Sequence, residues 1–187
     1  HIKKLSAPSF GDNAFTNNQM IWNSSSGAIR YEVYNAQDVM YGSFEGASMP
    51  LDSLEGGQDY TFKVRSIGDG ITSFNSDYSE GRSVYKLKTP AIFLEGNQGY
   101  VWDAVSGATS YAVYIDGALA STDVHVSGNI YSFVPNFTEL KTYKVEIYAI
   151  GDGGATTINS SPFTVEQETI QLETPDFSFS YSNDCVS

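Results

Sequence analysis

Apolar and polar residues alternate along two similar stretches of the chain. Residues 60–67 read Tyr-Thr-Phe-Lys-Val-Arg-Ser-Ile, residues 143–150 read Tyr-Lys-Val-Glu-Ile-Tyr-Ala-Ile, and each stretch ends in Gly-Asp-Gly. Alternation with a period of two is typical of a β-strand that buries one face. Gly-Asp-Gly is typical of a turn, because glycine tolerates positive φ. The sequence therefore predicts two equivalent strands, each followed by a tight loop.

Other landmarks repeat with nearly the same spacing. Leu-x-x-Pro occurs at residues 5–8, 87–90 and 172–175, so the prolines lie 82 (90 − 8) and 85 (175 − 90) residues apart. Trp22 and Trp102 lie 80 residues apart (102 − 22), and a glycine-containing turn and a Tyr-x-Val-Tyr strand follow each of them. We therefore expect two units and the opening of a third.

The spacing of strands and turns favours an all-β fold. Each unit of about 85 residues holds about seven short alternating stretches, separated by turns every 8–12 residues, which is the signature of a β-sandwich. No stretch carries a helical period. We predict one sandwich at residues 1–86, a second at 87–171, and a truncated third unit at 172–187. Alternation predicts that Trp22 and Trp102 are buried.

Three tyrosines are candidates for ligand binding. The same alternation places Tyr34, Tyr114 and Tyr148 on the outward face, together with Lys63 and Lys144. Exposed tyrosines can stack on sugars or anchor a protein interface. The alternative, which we favour, is cross-strand pairing that stabilises a solvated sheet.

The charge of the chain disfavours two classes of partner. Ten basic residues against 22 acidic ones give a formal net charge of −12. Nucleic-acid binding needs clustered Lys and Arg to contact phosphates, and adhesion to an anionic membrane needs the same. No apolar run approaches the ~20 residues that span a bilayer. We therefore expect neither nucleic acid nor membrane insertion.

Catalytic and metal chemistry have little support in the sequence. The histidines are His1 and His125, the one cysteine is Cys185, and no Gly-x-Ser-x-Gly motif is present. Asp69 and Asp152, in the two Gly-Asp-Gly loops, could be imagined in a calcium site, but the spacing of acidic residues that such sites use is missing. We expect both aspartates to form turns, and we expect no enzyme activity, metal or cofactor.

The combined pattern resembles tandem fibronectin type III domains, in the divergent form found in bacterial extracellular proteins. The resemblance covers residues 5–171 and rests on the prolines, the tryptophans and the Tyr-x-Val-Tyr strands. It also rests on Leu54-x-x-Gly57-x-x-Tyr60, which resembles the family's tyrosine corner. The resemblance implies that the Tyr60 and Tyr143 hydroxyls bond local backbone. The second unit departs from the pattern, since Leu140-Lys141-Thr142-Tyr143 lacks the glycine, which questions its corner bond.

The resemblance also implies a function. It suggests a non-catalytic spacer and interaction module of a larger extracellular or cell-surface protein, in which a stiff rod holds other domains of the same polypeptide apart. One alternative is an adhesion module that binds a glycan or protein through the outward tyrosines and the Gly-Asp-Gly loops. Another is a segment of a virion fibre.

For residues 172–187 we expect a first strand without a partner sheet. Phe177 or Phe179 should therefore dock on a surface, and Cys185 should not be a working thiol.

Overall fold

Short β-strands form all the regular structure in the computed structural model, which describes residues 2–16, 18–94, 99–121 and 123–169. Within these ranges there is no helix, and hence none long and apolar enough to cross a membrane. The strands of the first half are β1 (Lys3–Lys4), β2 (Phe15–Thr16), β3 (Gln19–Ile21), β4 (Arg30–Asn35), β5 (Met40–Phe44), β6 (Ser48–Pro50), β7 (Gln58–Ile67), β8 (Ser73–Phe74) and β9 (Arg82–Lys86). Those of the second half are β10 (Ile92–Leu94), β11 (Tyr100–Asp103), β12 (Ser110–Ile115), β13 (Ala118–Ser121), β14 (His125–Ser127), β15 (Ile130–Phe133), β16 (Thr142–Ile150), β17 (Thr157–Ile158) and β18 (Phe163–Glu168).

Each half of the chain builds one sandwich of two antiparallel sheets. In the first unit the sheet orders are β2-β3-β6 and β17-β9-β7-β4-β5, in which β17 comes from the second half of the chain. In the second unit they are β10-β11-β15-β14 and β13-β12-β16-β18. Counting only the strands of its own half, each described sandwich has seven or eight strands. The chain crosses between the two sheets, for example from β3 to β4 and from β5 to β6, as in an immunoglobulin-like fold. The predicted fold class is confirmed: the chain folds as two tandem fibronectin type III-like β-sandwiches.

A tryptophan lies at the centre of each core. Trp22 is 6% exposed and meets Tyr31 edge-to-face, and Trp102 is 0% exposed and meets Tyr111 in the same way. These contacts bury large aromatic surfaces between the sheets, where such pairs add to the hydrophobic stabilisation. The prediction that both tryptophans are buried is therefore confirmed.

The outward face predicted from alternation is also correct. Lys144 is exposed, while Lys63, Tyr34, Tyr114 and Tyr148 are half-buried. A slip of one residue would have sent all of them into the core. Strands β4 and β12 pair with β7 and β16 along their whole length, which fixes this register.

The tyrosine corner of the second unit uses a different apolar residue from the one that the sequence alignment predicted. Leu140, which we aligned with Leu54, is 63% exposed. Phe137 instead stacks on Tyr143 at 4.5 Å, and it lies six residues before that tyrosine, as Leu54 lies six before Tyr60. The hydrogen bond persists in altered form. Tyr60 Oη donates to the Glu55 carbonyl at 3.0 Å, whereas Tyr143 Oη accepts from the Glu139 N–H at 3.0 Å.

The domain limits at 86/87 and 171/172 stay predictions. The proposed third unit, with Phe177, Phe179 and Cys185, lies outside the described residues.

Candidate functional site

Tyr34 is engaged in a packed cluster on the outer face of the first unit. Its hydroxyl donates to Glu32 at 2.7 Å, and its ring meets Tyr78 edge-to-face at 5.1 Å. Arg65 bonds Glu32 at 2.7 Å and lies over both tyrosine rings. Burial, followed by the hydrogen bond to Glu32, raises the pKa of Tyr34 to about 12. Tyr34 is therefore packed against its neighbours on the sheet surface, which is the geometry that cross-strand pairing requires.

Tyr114 and Tyr148 form a second aromatic pair, on the equivalent face of the second unit. Their rings meet edge-to-face at 5.6 Å across neighbouring strands β12 and β16. The structure thus brings these two predicted residues together, and it places Tyr34 in the other unit. Burial raises the pKa of Tyr148, and the negative charge of Glu146 adds to the effect.

Asp69 organises the loop that follows β7. Its Oδ1 accepts hydrogen bonds from the amides of Ile71, Thr72 and Ser73, at 2.8–2.9 Å, and its Oδ2 accepts from the Thr72 hydroxyl at 2.6 Å. These bonds, that from the Thr72 hydroxyl most strongly, hold the pKa of Asp69 well below its usual range. The predicted role in a turn agrees with this geometry.

Asp152 organises the matching loop after β16 in the same way. Its carboxylate accepts from the amides of Gly154, Thr156 and Thr157 and from the Thr156 hydroxyl. Desolvation acts to raise the pKa of Asp152, but the hydrogen bonds, led by that of the Thr156 hydroxyl, lower it well below its usual range. Among the described residues no three His, Cys, Asp or Glu side chains come together in a way that could hold a metal ion.

The loop that Asp152 organises joins the two sandwiches. Strand β17, at the end of this loop, pairs in parallel with the end of β9, with Thr157 opposite Tyr85 and Ile158 opposite Lys86. The Tyr85 amide donates to the Thr156 carbonyl at 2.9 Å, and the Leu87 amide donates to the Ile158 carbonyl at 3.2 Å. Because β17 pairs with β9, a sheet of the first unit includes a strand from the second half of the chain.

The joint contributes a buried side chain to each core, and one of the two comes from the other unit. Ile158 is 2% exposed and belongs to the core of the first unit, whereas Leu87, which follows β9, is 0% exposed and belongs to the core of the second. Gly154, at φ +92°, lies directly against the carbonyl of Phe15, where a Cβ would overlap it. Burying apolar side chains on both sides opposes separation of the units.

A lysine is buried within the joint. Lys86, opposite Ile158, is 4% exposed, and its Nζ donates to the carbonyls of Leu51 at 2.9 Å and Asp52 at 3.4 Å. Desolvation lowers the pKa of this amine. The two carbonyls supply hydrogen bonds that a buried ammonium needs.

The first unit carries the same arrangement at its own start. Strand β1 pairs in parallel with β8, with Lys4 opposite Phe74, and the Leu5 amide donates to the Phe74 carbonyl at 3.0 Å. Leu5 lies beside Gly27 as Leu87 lies beside Gly107. Phe74 occupies the place of Ile158, yet it is 54% exposed.

The joint was not predicted from the sequence, although the loop was. The Gly-Asp-Gly repeat identified a turn but gave no sign that the residues after it, Ile71 to Phe74 and Ala155 to Ile158, continue to a strand. The overlooked signal is the shared order of a Thr, an apolar residue and an Asn after each aspartate. That order appears at Thr72, Phe74 and Asn75, and again at Thr156, Ile158 and Asn159. In both loops the Asn side chain accepts from the first glycine amide, at 3.1 and 2.9 Å.

Two solved fibronectin type III arrays are similar to the chain. The central fibronectin-III array of RIM-binding protein has 11% identity and a TM-score of 0.31, and the match covers 92% of this chain and 70% of that one. The FN1–FN3 domains of chicken CNTN1 have 14% identity and a TM-score of 0.33, with 89% and 67% covered. No family profile and no curated protein matches the sequence. The fold assignment therefore rests on strand order, the buried tryptophans and the tyrosine corners.

Proposed function

We propose that this chain is a non-catalytic spacer and interaction module that holds other domains of a larger extracellular protein apart as a stiff rod. The observation that carries the proposal is the joint between β9 and β17. Tandem domains usually connect through linkers that allow relative motion. Here the connection instead combines a backbone ladder, a buried Ile158 and a buried Leu87.

Two features of the joint favour stiffness. The Gly-Asp-Gly loop is held internally by the hydrogen bonds of Asp152, which position the strand that docks on β9. Gly154 lies so close to the Phe15 backbone that an added Cβ would overlap the Phe15 carbonyl. Changing the angle between the units would require breaking this contact and the parallel ladder together.

Exposed Phe74 supports the presence of a neighbouring domain. Its equivalent, Ile158, is buried in the core of the adjacent sandwich, whereas Phe74 presents a large apolar ring to solvent. A further sandwich that packed on β1 and β8 would bury Phe74 as the first unit buries Ile158. We therefore propose other domains of the same polypeptide as partners, and an extracellular or cell-surface location in keeping with the family resemblance.

The experiment is small-angle X-ray scattering of the whole chain with two matched variants. Ile158→Asp places a charge in the first core, so the loop should undock, and the scattering should show a broader range of inter-unit distances. Phe74→Asp makes the same change at the equivalent exposed site, and it should leave the profile unchanged. If the parent chain already scatters as two freely moving units, the stiff-spacer function is wrong.

A further inference from the structure

A cleft of ≈ 200 Å³ lies where the second unit meets the first. It is lined by Asn18 from the first unit and by Tyr114, Tyr148, Ile150 and Asn159 from the second. Asn159 directly follows the docked strand β17, so the joint that places Ile158 also places this wall of the cleft. The cleft therefore exists only while the two units are joined.

The aromatic wall of the cleft has the form of a stacking site. The ring planes of Tyr114 and Tyr148 lie at 76° to each other, so the edge of one ring meets the face of the other. Both rings are half-buried, which fixes their orientation and leaves part of each accessible. Rigid aromatic rings offer large contact area at a low cost in side-chain entropy.

Polar groups around the rings have spare hydrogen-bonding capacity. Among the described residues, the hydroxyls of Tyr114 and Tyr148 and the side-chain amide of Asn18 make no hydrogen bond. Asn159 uses its Oδ1 to accept from the Gly151 amide, so its NH₂ group remains to donate. Tyr34, at the matching position of the first unit, differs, since its hydroxyl and ring are taken up by Glu32, Tyr78 and Arg65.

The charge around the cleft selects a neutral ligand. None of the five lining residues carries a charge. The negative charges of nearby Glu146 and Asp52 help to raise the pKa of the Tyr148 hydroxyl. Lys144 bonds Glu146 at 2.8 Å, which leaves it little attraction for an anion. With a net charge of −12, the whole chain repels acidic ligands as well.

We propose that this inter-unit cleft binds one ring of a neutral carbohydrate. The apolar C–H face of a hexose would stack on the accessible part of the Tyr114 and Tyr148 rings, and its hydroxyls would bond the two phenols and the amides of Asn18 and Asn159. The proposal uses the joint that the spacer function also needs, but it does not depend on the spacer role. With one ring and four polar groups, the dissociation constant should be on the order of 1 mM.

The test is a titration of the whole chain with cellotetraose, maltotetraose and chitotetraose, followed by the NMR shifts of the Tyr114 and Tyr148 amides. At least one sugar should saturate these shifts. Tyr148→Ala and Asn18→Ala should each weaken binding by about tenfold or more. The matched control Tyr34→Ala should bind normally. Asn18 lies in the turn between β2 and β3, outside the strands. The Asn18→Ala variant therefore still tests the proposal if Tyr148→Ala disturbs folding.

Three outcomes would overturn the proposal. They are the absence of saturation with all three sugars up to about 20 mM, equal binding by the Asn18→Ala and parent chains, and equal binding of anionic tetragalacturonate. Failure of the spacer function gives a different result, because a loosely joined parent chain would be detected by scattering without any sugar.

Discussion

Ile158 and Lys86 lie opposite each other in a parallel ladder that joins the two sandwiches, and the side chain of Ile158 completes the core of the unit to which Lys86 belongs. One unit therefore stabilises the other. The Gly-Asp-Gly loop of the second unit carries Ile158 to this position, because β17 lies at the end of the loop.

Replacing Ile158 with Ala should destabilise the first unit although the residue belongs to the second half of the chain. Truncating a fully buried Ile should cost about 2–5 kcal/mol. The expected result is faster hydrogen exchange throughout β4 and β7, which contain none of the substituted sequence. The control is Phe74→Ala, at the equivalent exposed position, which should change exchange little. Unchanged protection of β4 and β7 in Ile158→Ala would mean that Ile158 is not part of that core.

Gly154 and Gly153 form a matched pair for the close approach between the units. Both have positive φ, +92° and +83°, but a Cβ on Gly154 would overlap the Phe15 carbonyl, whereas one on Gly153 would meet nothing within 4 Å. Gly153→Ala should cost about 1 kcal/mol through backbone strain alone. Gly154→Ala should cost clearly more in urea unfolding, because the loop must also move away from Phe15. Equal losses in the two variants would show that the units do not touch there.

The buried tryptophans should dominate the stability of their own units. Trp102→Ala removes a 0% exposed indole and should cost about 3–5 kcal/mol. Trp22→Ala should have a similar effect on the first unit. The measurement is urea unfolding, with hydrogen exchange to assign the loss to a unit. A loss below about 1 kcal/mol in either variant would contradict the packing described here.

Acid should loosen the joint through Asp152. Its pKa is lowered in the folded chain, so the charged form contributes stability above the unfolded pKa, near 3.9. That contribution is lost as the pH falls through the folded value. The melting temperature of the parent should exceed that of Asp152→Asn at neutral pH, and the gap should shrink below about pH 4. A gap that stays constant down to pH 2, or one that widens, would exclude this role of the carboxylate.

Much of the fold could be predicted because alternation reports burial directly. Trp22, Trp102 and the strand registers follow from which residues face the core, and that pattern is local in the sequence. The corner of the second unit was misaligned because Leu140 matched Leu54 in type but not in distance from the tyrosine. Phe137 keeps the distance of six residues, and its ring therefore stacks on Tyr143.

The joint could not be predicted in the same way. Strand β17 has two residues, which is too short for any periodic signal, and its partner β9 lies more than 70 residues earlier. Lys86 would have been expected on the surface, because the carbonyls of Leu51 and Asp52 that bond its buried amine lie far from it in the sequence. The outward tyrosines could be found from alternation, because that pattern is local in the sequence. The contribution of Asn18 to their cleft could not be found, because Asn18 lies far from Tyr114 and Tyr148 in the sequence.

The most direct test of the joint is the distance between the two units in solution. Spin labels at Val39→Cys and Leu119→Cys, both on exposed residues of different units, would be measured by pulsed electron paramagnetic resonance in a Cys185→Ser background. A pair within the first unit, Val39→Cys with Gln19→Cys, gives the reference width. We predict an inter-unit distribution as narrow as the reference, which broadens when Ile158→Asp is added. A broad distribution in the chain without Ile158→Asp would contradict a rigid joint between the sandwiches.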